Sequence, residues 1–280
     1  MKLEDQDSSN IEDRRGSALG RAPVRLGLGG MVVLFILSLV FKQDLFALLG
    51  ADGGVGPPSA SAPTPADDQR LQAEEDLKTV AVGSFNDVQS VWGGRMEGYT
   101  PAKLVLFWDE TRSGCGAAGA EMGPFYCPTD QRVYIDLGFY RELASRFGAP
   151  GQFAQAYVIA HEVGHHLQHQ LGIDAKVRAA QERSPPQRNA LSVKMELQAD
   201  CFAGAWGKSA HARGLLDPGE VEQGLAAAAA VGDDRIQKAT TGQVSPESFT
   251  HGSAEQRARW FRRGFERGDP ADCDTFGGTP

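Results

Sequence analysis

Ala156-Tyr-Val-Ile-Ala-His-Glu-Val-Gly-His-His166 is the stretch on which the fold turns. It lies within residues 152–171, where Ala156, Ile159, Ala160, Val163 and Leu167 recur three and four apart. That spacing predicts a helix with one side for burial. A helix turns about 100° per residue, so His161 and His165 share a face, about 6 Å apart along the axis. Two imidazoles so placed can reach one metal ion, and the Glu162 carboxylate can reach a water on it. This H-E-x-x-H arrangement is what a zinc hydrolase needs. Gly164 costs about 1 kcal/mol relative to Ala in mid-helix. Its presence predicts a close approach there, by another backbone or by a substrate.

A catalytic zinc takes three protein ligands and keeps one position open. His166 points about 100° away from His165, and a third histidine in line at His169 is strained by helix drift. No His-x-x-Gly-x-x-His tail is present after the motif. The next predicted helix, 185–207, offers Glu196 and Asp200 on one face, among Leu191, Met195, Ala199, Phe202, Ala203 and Trp206. Carboxylates in such a setting are costly to bury without partners. Glu196 is therefore expected as the third ligand, with Asp200 accepting the outer ring N–H of a ligand histidine.

The rest of the chain sets the context. It has 280 residues and a net charge of -8, which excludes a global basic surface for nucleic acid. Leu26 to Phe41 is free of charge, and Leu45 to Leu49 resume the apolar character. Residues 26–49 are expected to be a transmembrane signal anchor, one N-terminal helix. Lys2, Arg14, Arg15, Arg21 and Arg25 precede the run. This places residues 1–25 in the cytoplasm as a flexible tail and exports the chain beyond residue 49, periplasmic or extracellular. Residues 50–68, rich in Pro, Gly and Ala, read as a linker, leaving 69–280 as the folded domain.

That domain reads as α+β, predominantly helical. Strands are expected at 104–108 and 132–137, with a loop at 113–130 between them. Helices are expected at 139–147, 152–171, 185–207, 217–231 and 253–267. Ser84 is expected to cap a helix carrying Val88, Val91 and Trp92, and Ser184 precedes a first-turn proline, Pro185. Asp217 with Glu220 and Ser253 with Gln256 have capping-box spacing. Cys115, Cys127, Cys201 and Cys273 form no C-x-x-C, and outside the cytosol they fit two disulfides. Three connectivities are open; Cys115–Cys127 would close one loop and Cys201–Cys273 would pin the tail to the metal helix.

H-E-x-x-H with E-x-x-x-D on a second helix resembles the gluzincin, or thermolysin-type, arrangement. More specifically, the chain resembles the bacterial neutral zinc metallopeptidases. The stretches that carry this are Asn10-Ile-Glu-Asp-Arg-Arg-Gly16, Ser113-Gly-Cys-Gly116, Gly123-Pro-Phe-Tyr-Cys-Pro128, Ala156 to His166, Glu196-Leu-Gln-Ala-Asp-Cys201, Val231-Gly-Asp-Asp-Arg235 and Ser248-Phe-Thr-His-Gly252. The resemblance implies a single-span membrane protein with a zincin-like domain, a small β-sheet and one Zn2+ per chain. The expected activity is hydrolysis of protein or peptide substrates, with zinc on His161, His165 and Glu196 and Glu162 as general base. Thermolysin-type sites add a His or Tyr donor to the developing oxyanion. His251 is the first candidate and Tyr126 the second. Strand 132–137 is expected to be an edge that takes an extended peptide. The alternative is a non-proteolytic metal-binding chaperone or assembly factor at the membrane; the base Glu162 argues against a merely structural site.

Overall fold

The computed structural model describes residues 1–3, 5–16 and 65–277. The expected membrane segment 26–49 lies outside these residues, as does most of the expected linker. Among the described residues, no helix is long and apolar enough to cross a membrane. In chain order the elements are β1 (Ile11–Asp13), α1 (Pro65–Ala73), α2 (Glu75–Arg95), β2 (Lys103–Phe107), β3 (Glu110–Ser113), β4 (Gly116–Gly119), β5 (Phe125–Cys127) and β6 (Arg132–Asp136). They continue with α3 (Gly138–Ser145), α4 (Gln152–Gln170), α5 (Ile173–Arg183), α6 (Arg188–Ala212), α7 (Glu220–Ala230), α8 (Asp233–Thr241) and α9 (Ala254–Arg267). The architecture is α+β and mostly helical, as expected.

The main sheet has the order β1-β2-β6-β5. β1, β2 and β6 run parallel, and β5 lies antiparallel at one edge. Strand 132–137 is thus not an edge. Val133, Tyr134 and Ile135 are all fully buried, so both faces of β6 are covered, as an interior strand requires. The edges are β1 and β5, and β5 lies in the stretch read as a loop; that stretch also holds most of the β3–β4 hairpin. The Cys115–Cys127 disulfide ties the hairpin to β5, and Cys201–Cys273 ties α6 to the chain beyond α9.

The first sixteen residues are not a free tail. β1 pairs with β2 in the register Ile11–Leu104, Glu12–Val105 and Asp13–Leu106. Arg15 is buried and bridges Asp13 at 2.8 Å and the fully buried Glu74 at 3.3 Å. A polar, mixed-charge sequence suggests a solvated chain, but here its charges have partners inside the domain.

Helix packing then positions the centre. Gly164 on α4 lies against α6: a Cβ there would sit 3.0 Å from the Ala199 Cα. The mid-helix glycine therefore serves close backbone approach, which brings Glu196 and Asp200 across to His161 and His165. α6 and α9 cross as closely, where a Cβ on Gly264 would meet the Cys201 carbonyl oxygen at 1.9 Å. Phe153, Tyr157, Trp206 and Phe261 fill the space between these helices.

Several element boundaries differ from the sequence reading. Ser84 is buried inside α2, nine residues past its start, so it caps nothing. Pro185 opens a 3-10 turn, and α6 begins only at Arg188 but extends to Ala212. α1, α5 and α8 have no counterpart in the sequence reading, and α1 begins at Pro65, inside the expected linker 50–68. Of the two capping boxes, Ser253–Gln256 forms in full. At the other, the Asp217 N–H donates to Glu220, but the helix starts at Glu220 itself after the left-handed Gly219.

Candidate metal centre

α4 presents His161, Glu162 and His165 to a cavity of about 530 Å³. α6 presents Glu196 to the same cavity, and the ligand atoms of His161, His165 and Glu196 all lie within 4.8 Å of one another. The His161 Nε2 is 3.1 Å from one Glu196 oxygen, and the His165 Nε2 is 3.4 Å from the other. Zinc bonds of about 2.0–2.2 Å place tetrahedral ligand atoms about 3.3–3.6 Å apart, so these two distances are close to what that ion needs. The orientation of the rings fits as well. The His161 Nδ1 faces Asp200 Oδ1 at 2.9 Å and the His165 Nδ1 faces Gln168 Oε1 at 2.8 Å. With each Nδ1 donating to an oxygen, each Nε2 is turned to the centre, where it would offer its lone pair to a metal ion.

The electrostatics favour a cation. Burial alone would lower the pKa of His161, but Asp200 and Glu196 outweigh it and raise it to about 10. His165 is also raised, burial being overcome by Glu196. Burial opposes the charge on Glu196, yet the two histidines hold its carboxyl well below the ordinary value. A field that draws a proton onto these rings draws a metal cation to their nitrogens. Glu162 behaves oppositely. Burial is the largest influence on it and leaves its pKa raised, although the neighbouring histidines oppose the shift. Among the described residues, no hydrogen bond holds its carboxylate. A carboxylate with a raised pKa and no fixed partner suits proton transfer.

Asp200 is fully buried and held from three sides. Tyr157 Oη donates to Oδ1 at 2.5 Å, and Arg257 donates through Nε to Oδ2 at 2.8 Å and through Nη2 to Oδ1 at 3.0 Å. Burial would raise the Asp200 pKa, but Arg257 and His161 lower it instead. Sequence reasoning missed Tyr157 and Arg257. A signal for Arg257 exists: on α9 it shares a stripe with Ala254, Trp260, Phe261 and Gly264, all buried. An arginine on an apolar stripe must find a carboxylate.

His251 lines the same cavity. Its Nδ1 is 3.1 Å from Asp233 Oδ1, and the backbone N–H groups of Thr250, His251 and Gly252 donate to Asp233 Oδ2. Hydrogen bonding to Asp233 raises the His251 pKa, against the effect of burial. Asp233 stood in a quoted motif without a role; it sets the loop that presents His251. Tyr126 also lines the cavity, but its hydroxyl is engaged by His166 Nδ1 at 3.0 Å. His166 and His169 do not line the cavity; their rings meet the Thr100 carbonyl and Asp174 respectively.

A family model described as "Putative neutral zinc metallopeptidase" matches residues 1–276. The chain belongs to that family. The chain is similar to the Escherichia coli K12 protein YpfJ, 45% identical over 285 residues that cover 97% of each chain. The Mycobacterium tuberculosis H37Rv protein Rv2575 is 44% identical over 210 residues, 71% of this chain and 70% of its own. Both are described as uncharacterized proteins. No solved structure matches the chain. The neutral zinc metallopeptidase match begins at residue 1, so the family domain includes the segment that forms β1.

Proposed function

We propose that the protein is a zinc-dependent peptidase in which His161, His165 and Glu196 hold the metal and Glu162 is the general base. The observation that carries this reading is the convergence of those three ligand atoms within 4.8 Å on the wall of a cavity that Glu162 also lines. When bound there, zinc supplies Lewis acidity, which acidifies a water and polarises a substrate carbonyl. Glu162 takes the proton of the attacking water and delivers it to the leaving amine. His251, protonated and steadied by Asp233, donates to the oxygen on which negative charge develops. Tyr157 and Arg257 fix Asp200, which in turn fixes the His161 ring. β5 is hydrogen-bonded to β6, and Phe125 and Tyr126 face the cavity. An extended peptide adds to the free side of β5, the role that strand 132–137 was expected to fill. The apolar run 26–49 attaches the domain to a membrane, and the two disulfides suit a compartment outside the cytosol.

The test is Glu162→Gln, assayed on a fluorogenic library of unstructured peptides alongside metal analysis. The variant should keep one zinc per chain and lose about 10²- to 10⁴-fold in rate. Undiminished hydrolysis would remove Glu162 as the base. A zinc-loaded wild type that cleaves nothing in the library would favour the metal-binding chaperone or assembly factor.

A further inference from the structure

The described residues on either side of the apolar run, Gly16 and α1, meet at one place in the folded domain. Gly16 packs beside α1: a Cβ there would lie 3.8 Å from the Leu71 Cδ1 and 3.5 Å from the Trp108 ring. Leu71 is six residues into α1, about 9 Å along its axis from Pro65 at 1.5 Å per residue. A single passage through a bilayer separates its ends by about 30 Å of hydrocarbon. Residues 50–64 cannot make a second passage as a lone polar chain, because unpaired backbone groups are not tolerated in lipid.

The N-terminal segment is also built into the domain along its length. The Leu104 N–H donates to the Asn10 carbonyl at 2.9 Å and the Arg14 N–H to the Leu106 carbonyl at 2.8 Å. Arg132 on β6 reaches Glu12 at 2.8 Å. Asn86 on α2 donates to the Asp7 carbonyl at 2.9 Å, and a Cβ on Gly83 would meet the Leu3 side chain at 2.7 Å. Glu74, fully buried, takes Arg15, Arg70, Arg141 and the Trp108 indole as donors. Three of the charges behind the expected orientation therefore have partners in the folded part: Arg14 pairs with Glu12, Arg15 with Asp13 and Glu74, and the Lys2 ammonium lies 3.9 Å from Asp217.

We infer that residues 1–16 and 65–277 lie on the same side of any membrane the chain meets, with residues 11–13 as a working strand of the domain. A cytoplasmic tail joined to an exported domain is thereby replaced, whether or not the protein is a peptidase. Ser8→Cys and Glu255→Cys, each in the full chain, place one exposed thiol in each part. Both are treated in intact cells of the native host with a membrane-impermeant maleimide, and again after lysis. Matching results, both labelled or both protected until lysis, are expected. Labelling of one and protection of the other would overturn the inference. Hydrogen exchange on the purified full chain supplies the second readout. Slow exchange at residues 11–13 is expected, and exchange at the rate of an unstructured peptide would overturn the packing on which the inference rests.

Discussion

The helix pair of the candidate metal centre and the β1–β2 pair are both built around buried charge, yet they are held differently. In the helix pair, a histidine, a tyrosine and a bidentate arginine converge on Asp200. A second carboxylate, Glu196, stays open to the cavity. In the strand region, Glu74 is enclosed by arginines and an indole and faces no cavity of the centre. The first arrangement keeps a cation site in a fixed geometry; the second attaches a segment. Charge burial alone therefore does not mark a reactive site. What distinguishes the two is whether ligand atoms are left aimed at open space.

Substitutions can break or sharpen that comparison. Arg257→Met should have the largest effect on stability. It leaves Asp200 buried without its main partner, at a cost of about 3–5 kcal/mol, and should weaken zinc binding by about 10- to 100-fold through the loosened His161 ring. Denaturant titration and zinc competition measure the two separately; unchanged zinc affinity would mean that Asp200 orients His161 without Arg257. His251→Ala should keep zinc and stability but lower kcat by about 10²- to 10³-fold. A wild-type rate in this variant would assign the donor elsewhere. Gly164→Ala should cost about 1–3 kcal/mol, because the added methyl enters the α4–α6 crossing; an unchanged melting temperature would show that the helices can part without cost.

The smallest effect concerns pH at the strand region. Burial would raise the Glu74 pKa, but the Trp108 indole and the Arg70 and Arg141 guanidiniums hold it below its ordinary value of 4.5. A depressed carboxyl contributes stability that is present above pH 4.5 and lost as pH falls through the folded value. The protection of the amides at residues 11–13, measured against the intrinsic exchange rate at each pH, should fall on acidification below that point, and Glu74→Gln should flatten the dependence. An equal acid response in the variant would place the titrating group elsewhere.

The helix pair was legible in the sequence because its logic is local. The four-residue spacings of His161–His165 and Glu196–Asp200 report a shared face whatever the rest of the chain does. Gly164 announced a close approach for the same reason. The strand region was not legible, because β1 pairs with β2 across some ninety residues and no short-range pattern records that partner. Three polar-flanked residues carry no period. The position of β5 was hidden likewise, since Gly123-Pro124 and the cysteines mark a loop and only the register to β6 reveals a strand. Arg257 lay between these cases: its helix was read correctly, but its partner came from another helix.

The route from the second disulfide to the centre has one more consequence. The Cys273 carbonyl accepts from Gln198, the Gln198 side-chain oxygen accepts from Gln168, and Gln168 accepts from the His165 ring. Arg257, on which Asp200 depends, is also encoded late. A ribosome that has made everything through the H-E-x-x-H helix has therefore made an incomplete centre. The nascent polypeptide carries the motif for about a hundred residues before Arg257 and Cys273 exist.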